Sequence, residues 1–135
     1  MTSLVYVDSS VALALAFHEN GWEDLRVSAH RHQSDGSELV SSELLRTEVR
    51  RVFFRHQRSF RGADRSVSWI ALIEVTNAII GQAGRISTHV RTLDAIHVAA
   101  AQSLQDERTT VRLWTLDDQM RRAATHVGLE VTDSS

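Results

Sequence analysis

The chain has 135 residues, 42% hydrophobic and 24% charged, the size and makeup of one globular domain spanning 1–135. Cysteine is absent, which excludes disulfides and thiolate metal sites; with no apolar run long enough to span a bilayer and no signal-like N-terminus, a cytoplasmic protein without membrane contact is expected. All fifteen basic residues are arginine, which excludes chemistry that needs a lysine, such as a Walker phosphate loop, and the net charge of −2 does not by itself mark a nucleic-acid binder.

The first element is a short apolar run from Leu4 that ends on Asp8, and it predicts a buried strand with an acid at its carboxyl end. Ser9 and Ser10 are suited to cap a helix over Val11 to Phe17, apolar nearly all round, which Asn20 and Gly21 end. A second helix follows from Trp22 to about His32, with Trp22, Leu25 and Ala29 on its inner face. Residues 33–38 read as a loop, and Leu39 with Val40 as a brief strand.

Ser41 or Ser42 caps a third helix whose apolar stripe runs through Leu44, Leu45, Val49, Val52 and Phe53. Glu48 falls inside that stripe. Taken alone it is a stripe-edge glutamate that reaches water or pairs with Arg51, but a carboxylate carried into the interior needs a compensating cation. From Arg46 to Arg65 seven arginines face only two acids, Glu48 and Asp64, a stripe suited to phosphates.

Phe60 to Arg65 reads as a turn-like break around Gly62. Ser66 to Glu74 reads as a short helix closing on a strand at Leu72 to Val75, and Thr76 or Asn77 then starts a helix to about Gln82. Thr92 to Leu104 is helical by propensity and apolar after its first turn, so it predicts a buried central helix. Asp94 stands in its first turn and His97 three residues later on the same side. Alone, Asp94 is an acid favoured by the helix dipole and His97 a partly buried histidine bonded to a neighbour.

Val111 to Leu116 predicts another strand ending on Asp117 and Asp118, and a helix through Met120, Ala123, Ala124 and Val127 stops at Gly128. Leu129 to Val131 is an edge strand, and Thr132 to Ser135 a frayed tail.

Strands alternating with helices predict an α/β fold with a mostly parallel sheet covered on both faces. Asp8 and Asp117 then share one sheet edge, Asp94 opens a buried helix, and Glu48 lies on a helix packed on the sheet. Clustered carboxylates raise one another's pKa unless a cation offsets them, and oxygen ligands without thiolates suit Mg²⁺ or Mn²⁺.

Val-Tyr-Val-Asp8-Ser-Ser, Ser-Glu-Leu-Leu-Arg-Thr-Glu48-Val-Arg-Arg, Arg91-Thr-Leu-Asp94-Ala-Ile-His97-Val-Ala-Ala-Ala and Trp-Thr115-Leu-Asp117 together resemble, in order and spacing, the motifs of the PIN-domain ribonucleases and, within them, the VapC-type toxins. The resemblance implies a three-layer α/β/α sandwich around a mostly parallel five-stranded sheet, with Asp8, Glu48, Asp94 and Asp117 in one acidic pocket. It further implies Mg²⁺-dependent hydrolysis of RNA, with Asp8, Asp94 and Asp117 as metal ligands and Glu48 as a ligand or as the residue that positions the attacking water. Thr115 would orient Asp117 or a water, and His97 would stand behind the ligands. Asp117 is favoured over Asp118 because it falls at the strand end.

The resemblance also implies a VapB-like antitoxin partner and a homodimer, with Arg46, Arg50 and Arg55 as contacts to RNA or antitoxin. Two other readings stand beside it: a catalytically silent PIN-like binding module, and a structure-specific DNA nuclease.

Overall fold

β1 (Thr2–Val7) is the axis of the molecule, because its side chains alternate between two cores. Leu4 and Tyr6 enter one, Val5 and Val7 the other, and all four are buried. A strand sealed on both faces belongs in the middle of a parallel sheet. In the computed structural model, which describes residues 1–132, β1 pairs in parallel with β2 (Glu38–Ser42) and with β4 (Thr109–Trp114), so that Tyr6 stands between Val40 and Leu113. β3 (Ala71–Ile73) and β5 (Glu130–Val131) complete an all-parallel five-stranded sheet in the order β3-β2-β1-β4-β5.

Helices cover both faces. The core of Val5, Val7 and Trp114 is closed by α1 (Ser9–Ala16), α2 (Trp22–Ser34), α3 (Glu43–Arg55) and α4 (Phe60–Ser66). The core of Leu4, Tyr6 and Leu113 is closed by α5 (Asn77–Ala83), α6 (Thr92–Ser103) and α7 (Asp118–His126). This is the expected three-layer α/β/α sandwich. No helix among the described residues is long and apolar enough to cross a membrane.

Several local expectations change. The residues around Gly62 form helix α4 instead of a turn, because the Ser59 hydroxyl accepts the Gly62 amide at 3.0 Å and starts the helix ahead of the glycine. The following strand is Ala71–Ile73, earlier and shorter than Leu72 to Val75. Asp8, not Ser9 or Ser10, caps α1. β4 ends at Trp114, so Thr115 and Leu116 separate the strand from Asp117, which caps α7. Thr132 is buried, and its amide donates to the Leu113 carbonyl at 2.9 Å, extending the β4–β5 pairing in place of fraying. The rest of the expected tail, residues 133–135, lies outside the described residues.

From β1 the chain moves to β2 on one side, while β4 lies on the other. That reversal opens a crevice at the carboxyl ends of β1 and β4, where open α/β sheets bind ligands.

Candidate functional site

Asp8 follows β1 directly and is only 3% exposed. Its Oδ1 accepts the Ser10 amide at 3.1 Å and the Ser10 hydroxyl at 2.6 Å, and its Oδ2 accepts the Thr115 hydroxyl at 2.7 Å. Burial pushes its carboxyl above the ordinary value, against the lowering by Ser10, Thr115 and the nearby His97. The structure thus holds Asp8 both as a helix cap and as a buried acid at the crevice.

Thr115 joins two acids. It donates to Asp8 and accepts the Asp117 amide at 3.1 Å, so it reaches the Asp117 backbone and not its carboxylate. The Asp117 carboxylate caps α7 through Oδ1, while Oδ2 lies 3.7 Å from the Arg91 guanidinium. Arg91 also lies 3.5 Å from Asp94 Oδ2. One exposed arginine therefore spans two carboxylates from different elements. Burial raises the Asp94 carboxyl; Arg91 opposes this, and Asp117 adds to it, with a smaller contribution in the same direction from Glu48. Asp118 points outward and pairs with Arg121 at 2.7 Å.

Glu48 reaches the same edge from the opposite helical layer. Its Oε1 meets His97 Nε2 at 2.5 Å, and its Oε2 accepts the Ser9 hydroxyl at 3.4 Å. His97 is fully buried, more deeply than its sequence position suggests, and its Nδ1 contacts the Tyr6 hydroxyl at 2.7 Å. Burial raises the Tyr6 phenol far above its ordinary value.

All four expected acids thus converge on one edge in linked groups. Among the described residues, however, no three histidine, aspartate or glutamate side chains stand close enough to form a ready-made metal cage. The donor set is all oxygen, the chemistry a hard divalent cation takes, and two nitrogens of the Arg91 guanidinium already place positive charge beside Asp94 and Asp117.

Of the three arginines expected to contact RNA or antitoxin, none pairs with the four acids. Arg46 pairs with Glu43 at 3.9 Å, Arg50 forms a two-pronged contact with Asp64 at 2.7 Å on each arm, and Arg55 is exposed. Ser9, Ser10 and Arg91, which touch the acids, and Tyr6, which touches His97, were not expected at the site. Ser9 and Ser10 read as caps, and Tyr6 as strand filling, although a tyrosine in a sealed strand needs a partner for its hydroxyl. Arg91 had a local signal, its i,i+3 spacing to Asp94.

A doubly wound parallel sheet whose switch-point edge carries four acids in this chain order defines a class. The sequence profile of the PIN domain matches residues 5–125, and the chain belongs to the PIN-domain family. It is 37% identical over 129 residues to Ribonuclease VapC46 of Mycobacterium tuberculosis (strain ATCC 25618 / H37Rv), covering 94% of this chain and 95% of that protein. It is 28% identical over 128 residues to Ribonuclease VapC47 of Mycobacterium tuberculosis (strain CDC 1551 / Oshkosh), covering 93% of each.

Proposed function

We propose that this chain is a Mg²⁺-dependent endoribonuclease and the toxin of a type II toxin–antitoxin pair. The observation that carries the reading is the arrival of Asp8, Glu48, Asp94 and Asp117 from four separate elements at one edge of a PIN-family sheet. Full-length similarity to two proteins named as ribonucleases supports RNA as the substrate. The toxin role and a VapB-like antitoxin rest on the motif resemblance, as does a homodimer.

In this reading Asp8, Asp94 and Asp117 hold the ion, with Mn²⁺ as a substitute. When bound, such an ion polarises the scissile phosphate, offsets its developing charge and makes a water more acidic. The chain's own groups do the rest. Glu48 presents Oε2 toward the crevice and takes the proton of the attacking water. Thr115 and Ser10 hold the Asp8 carboxylate in one orientation. Arg91, lying over Asp94 and Asp117, would be free to meet an RNA phosphate if those two carboxylates held the ion.

The decisive experiment induces the chain in a bacterial host and incubates the purified protein with RNA and Mg²⁺. Wild type should arrest growth and cut RNA, whereas Asp94→Asn, melting like wild type, should do neither. Full toxicity of Asp94→Asn would sink the proposal. Matched RNA and DNA oligonucleotides separate it from a DNA nuclease.

A silent binding module is favoured by one feature, the Arg91 guanidinium lying between two of the presumed ligands. Calorimetric titration with Mn²⁺ decides: no heat of binding would favour that second reading.

A further inference from the structure

Glu48 and His97 belong to opposite layers of the sandwich. α3 packs with Val5 and Val7, and α6 packs with Leu4 and Tyr6. Their contact passes over the carboxyl edge of the sheet, so α6 supplies the partner that determines where a side chain of α3 points. A glutamate on a helix has three rotatable bonds and, left free, would sample many positions of its carboxylate.

The proton positions on the imidazole follow from the partners. An ionised carboxylate only accepts, so the short Glu48 contact requires a proton on His97 Nε2. In the neutral imidazole that is the only ring proton, so in that state Nδ1 accepts and the Tyr6 hydroxyl donates across its 2.7 Å contact. Tyr6 is suited to this, since its sealed site keeps the phenol protonated. The ring also lies edge-on to Tyr6, at 5.7 Å between centroids and 70° between planes, which limits its rotation. Both ring nitrogens thereby have a partner, and of the two neutral tautomers only the one protonated at Nε2 fits.

We infer that Tyr6 and His97 form a fixed pedestal for Glu48, with His97 as a positioning residue that ties Oε1 inward and leaves Oε2 facing Ser9 and the crevice. His97 touches no substrate in this arrangement and acts only through Glu48. The catalytic consequence rests on the nuclease reading above, whereas the tautomer and the tether do not.

Two measurements on the full chain test it. A long-range proton–nitrogen NMR spectrum of the metal-free protein, recorded at a pH where the imidazole is neutral, should show His97 protonated at Nε2 and bare at Nδ1, with Tyr6→Phe changing the Nδ1 resonance. A proton on Nδ1, or averaging between tautomers, would overturn the pedestal whether or not RNA is cleaved.

The second is a rate cycle on RNA. His97→Leu should lower kcat about 10- to 100-fold with KM unchanged, the size of effect seen when a supporting partner of a metal site is lost. His97→Gln, whose amide can place an N–H near the Nε2 position, should recover most of that loss. In a Glu48→Gln background, His97→Leu should cost nothing further, because residues that act through one group are not additive. A full additional loss in that background, at unchanged melting temperature, would show that His97 serves something other than Glu48. If wild type cuts no RNA at all while the spectrum shows the Nε2 tautomer, the nuclease reading fails and the pedestal stands.

Discussion

The Thr115 hydroxyl donates to Asp8 Oδ2 across 2.7 Å and so ties the end of β4 to the end of β1. The same oxygen accepts the Asp117 amide at 3.1 Å, so a single buried hydroxyl links the acid after β1 to the acid that caps α7. Thr115→Val keeps the shape and removes both bonds. Mn²⁺ affinity and RNA cleavage should each fall about 10- to 100-fold. Thr115→Ser, which keeps the hydroxyl, should stay close to wild type. Equal affinity and rate in the valine variant would show that the strand ends are held by the backbone alone.

Asp8 should be dispensable for folding and indispensable for chemistry. Its raised pKa means that the folded protein holds its carboxylate form less comfortably than the unfolded chain does. Asp8→Asn removes the charge, still offers an oxygen to the Ser10 amide, and is itself a favoured helix cap. Metal-free Asp8→Asn should therefore melt at or above the wild-type temperature at neutral pH while losing cleavage. A drop of several degrees would mean that the charge itself stabilises the fold through its neighbours.

How legible the site was in the sequence depended on whether each signal was local. Asp8 ending an apolar run, Asp94 opening an apolar helix and an acid after the last long strand are patterns within a few residues, and the structure places all three at the crevice. The sandwich followed from alternating strands and helices for the same reason. Glu48 showed only as an acid out of place in a stripe; its real partner, His97, is 49 positions away and in the other layer. Tyr6 contacts His97 across 91 positions and gave no sign of it. Helix α4 was hidden by Gly62, since a seven-residue helix depends more on its Ser59 cap than on propensity.

The pH response of the fold follows from the same acids. Asp8 and Asp94 both lie above the usual 3.8 in the folded protein. For a carboxyl raised on folding, the native state binds more protons than the unfolded chain between the two pKa values, so its stabilising contribution is present below the unfolded value and is lost as pH rises through the folded one. Asp64, lowered by Arg50, contributes in the opposite sense, so the comparison must be made by difference. The stability of wild type minus that of the Asp8→Asn, Asp94→Asn double variant should fall as pH rises from the ordinary carboxyl value of 3.8 through the raised folded-state values. Adding Mg²⁺ should reverse that trend in wild type only, because the ion binds the deprotonated acids. A difference independent of pH would show that neither acid is perturbed by burial.

Arg91 offers the test of whether a cation belongs between Asp94 and Asp117. Its guanidinium lies 3.5 Å from one and 3.7 Å from the other, and its side chain is 80% exposed, so the pairing is loose and readily displaced. Pairs this exposed are worth roughly 0.2–1 kcal/mol, and an incoming divalent ion must overcome that attraction. Arg91→Ala should therefore bind Mn²⁺ about two- to five-fold more tightly by calorimetry at low salt and neutral pH, with the gain shrinking as salt is added. The gain should also shrink toward acid pH, because loss of the arginine removes the main charge holding the Asp94 carboxyl down and lets a proton compete for it. Cleavage should move the other way, since the variant has lost the guanidinium proposed to meet the phosphate. Weaker Mn²⁺ binding in Arg91→Ala would reverse this assignment and make the arginine a strut that holds the two acids in place for the ion.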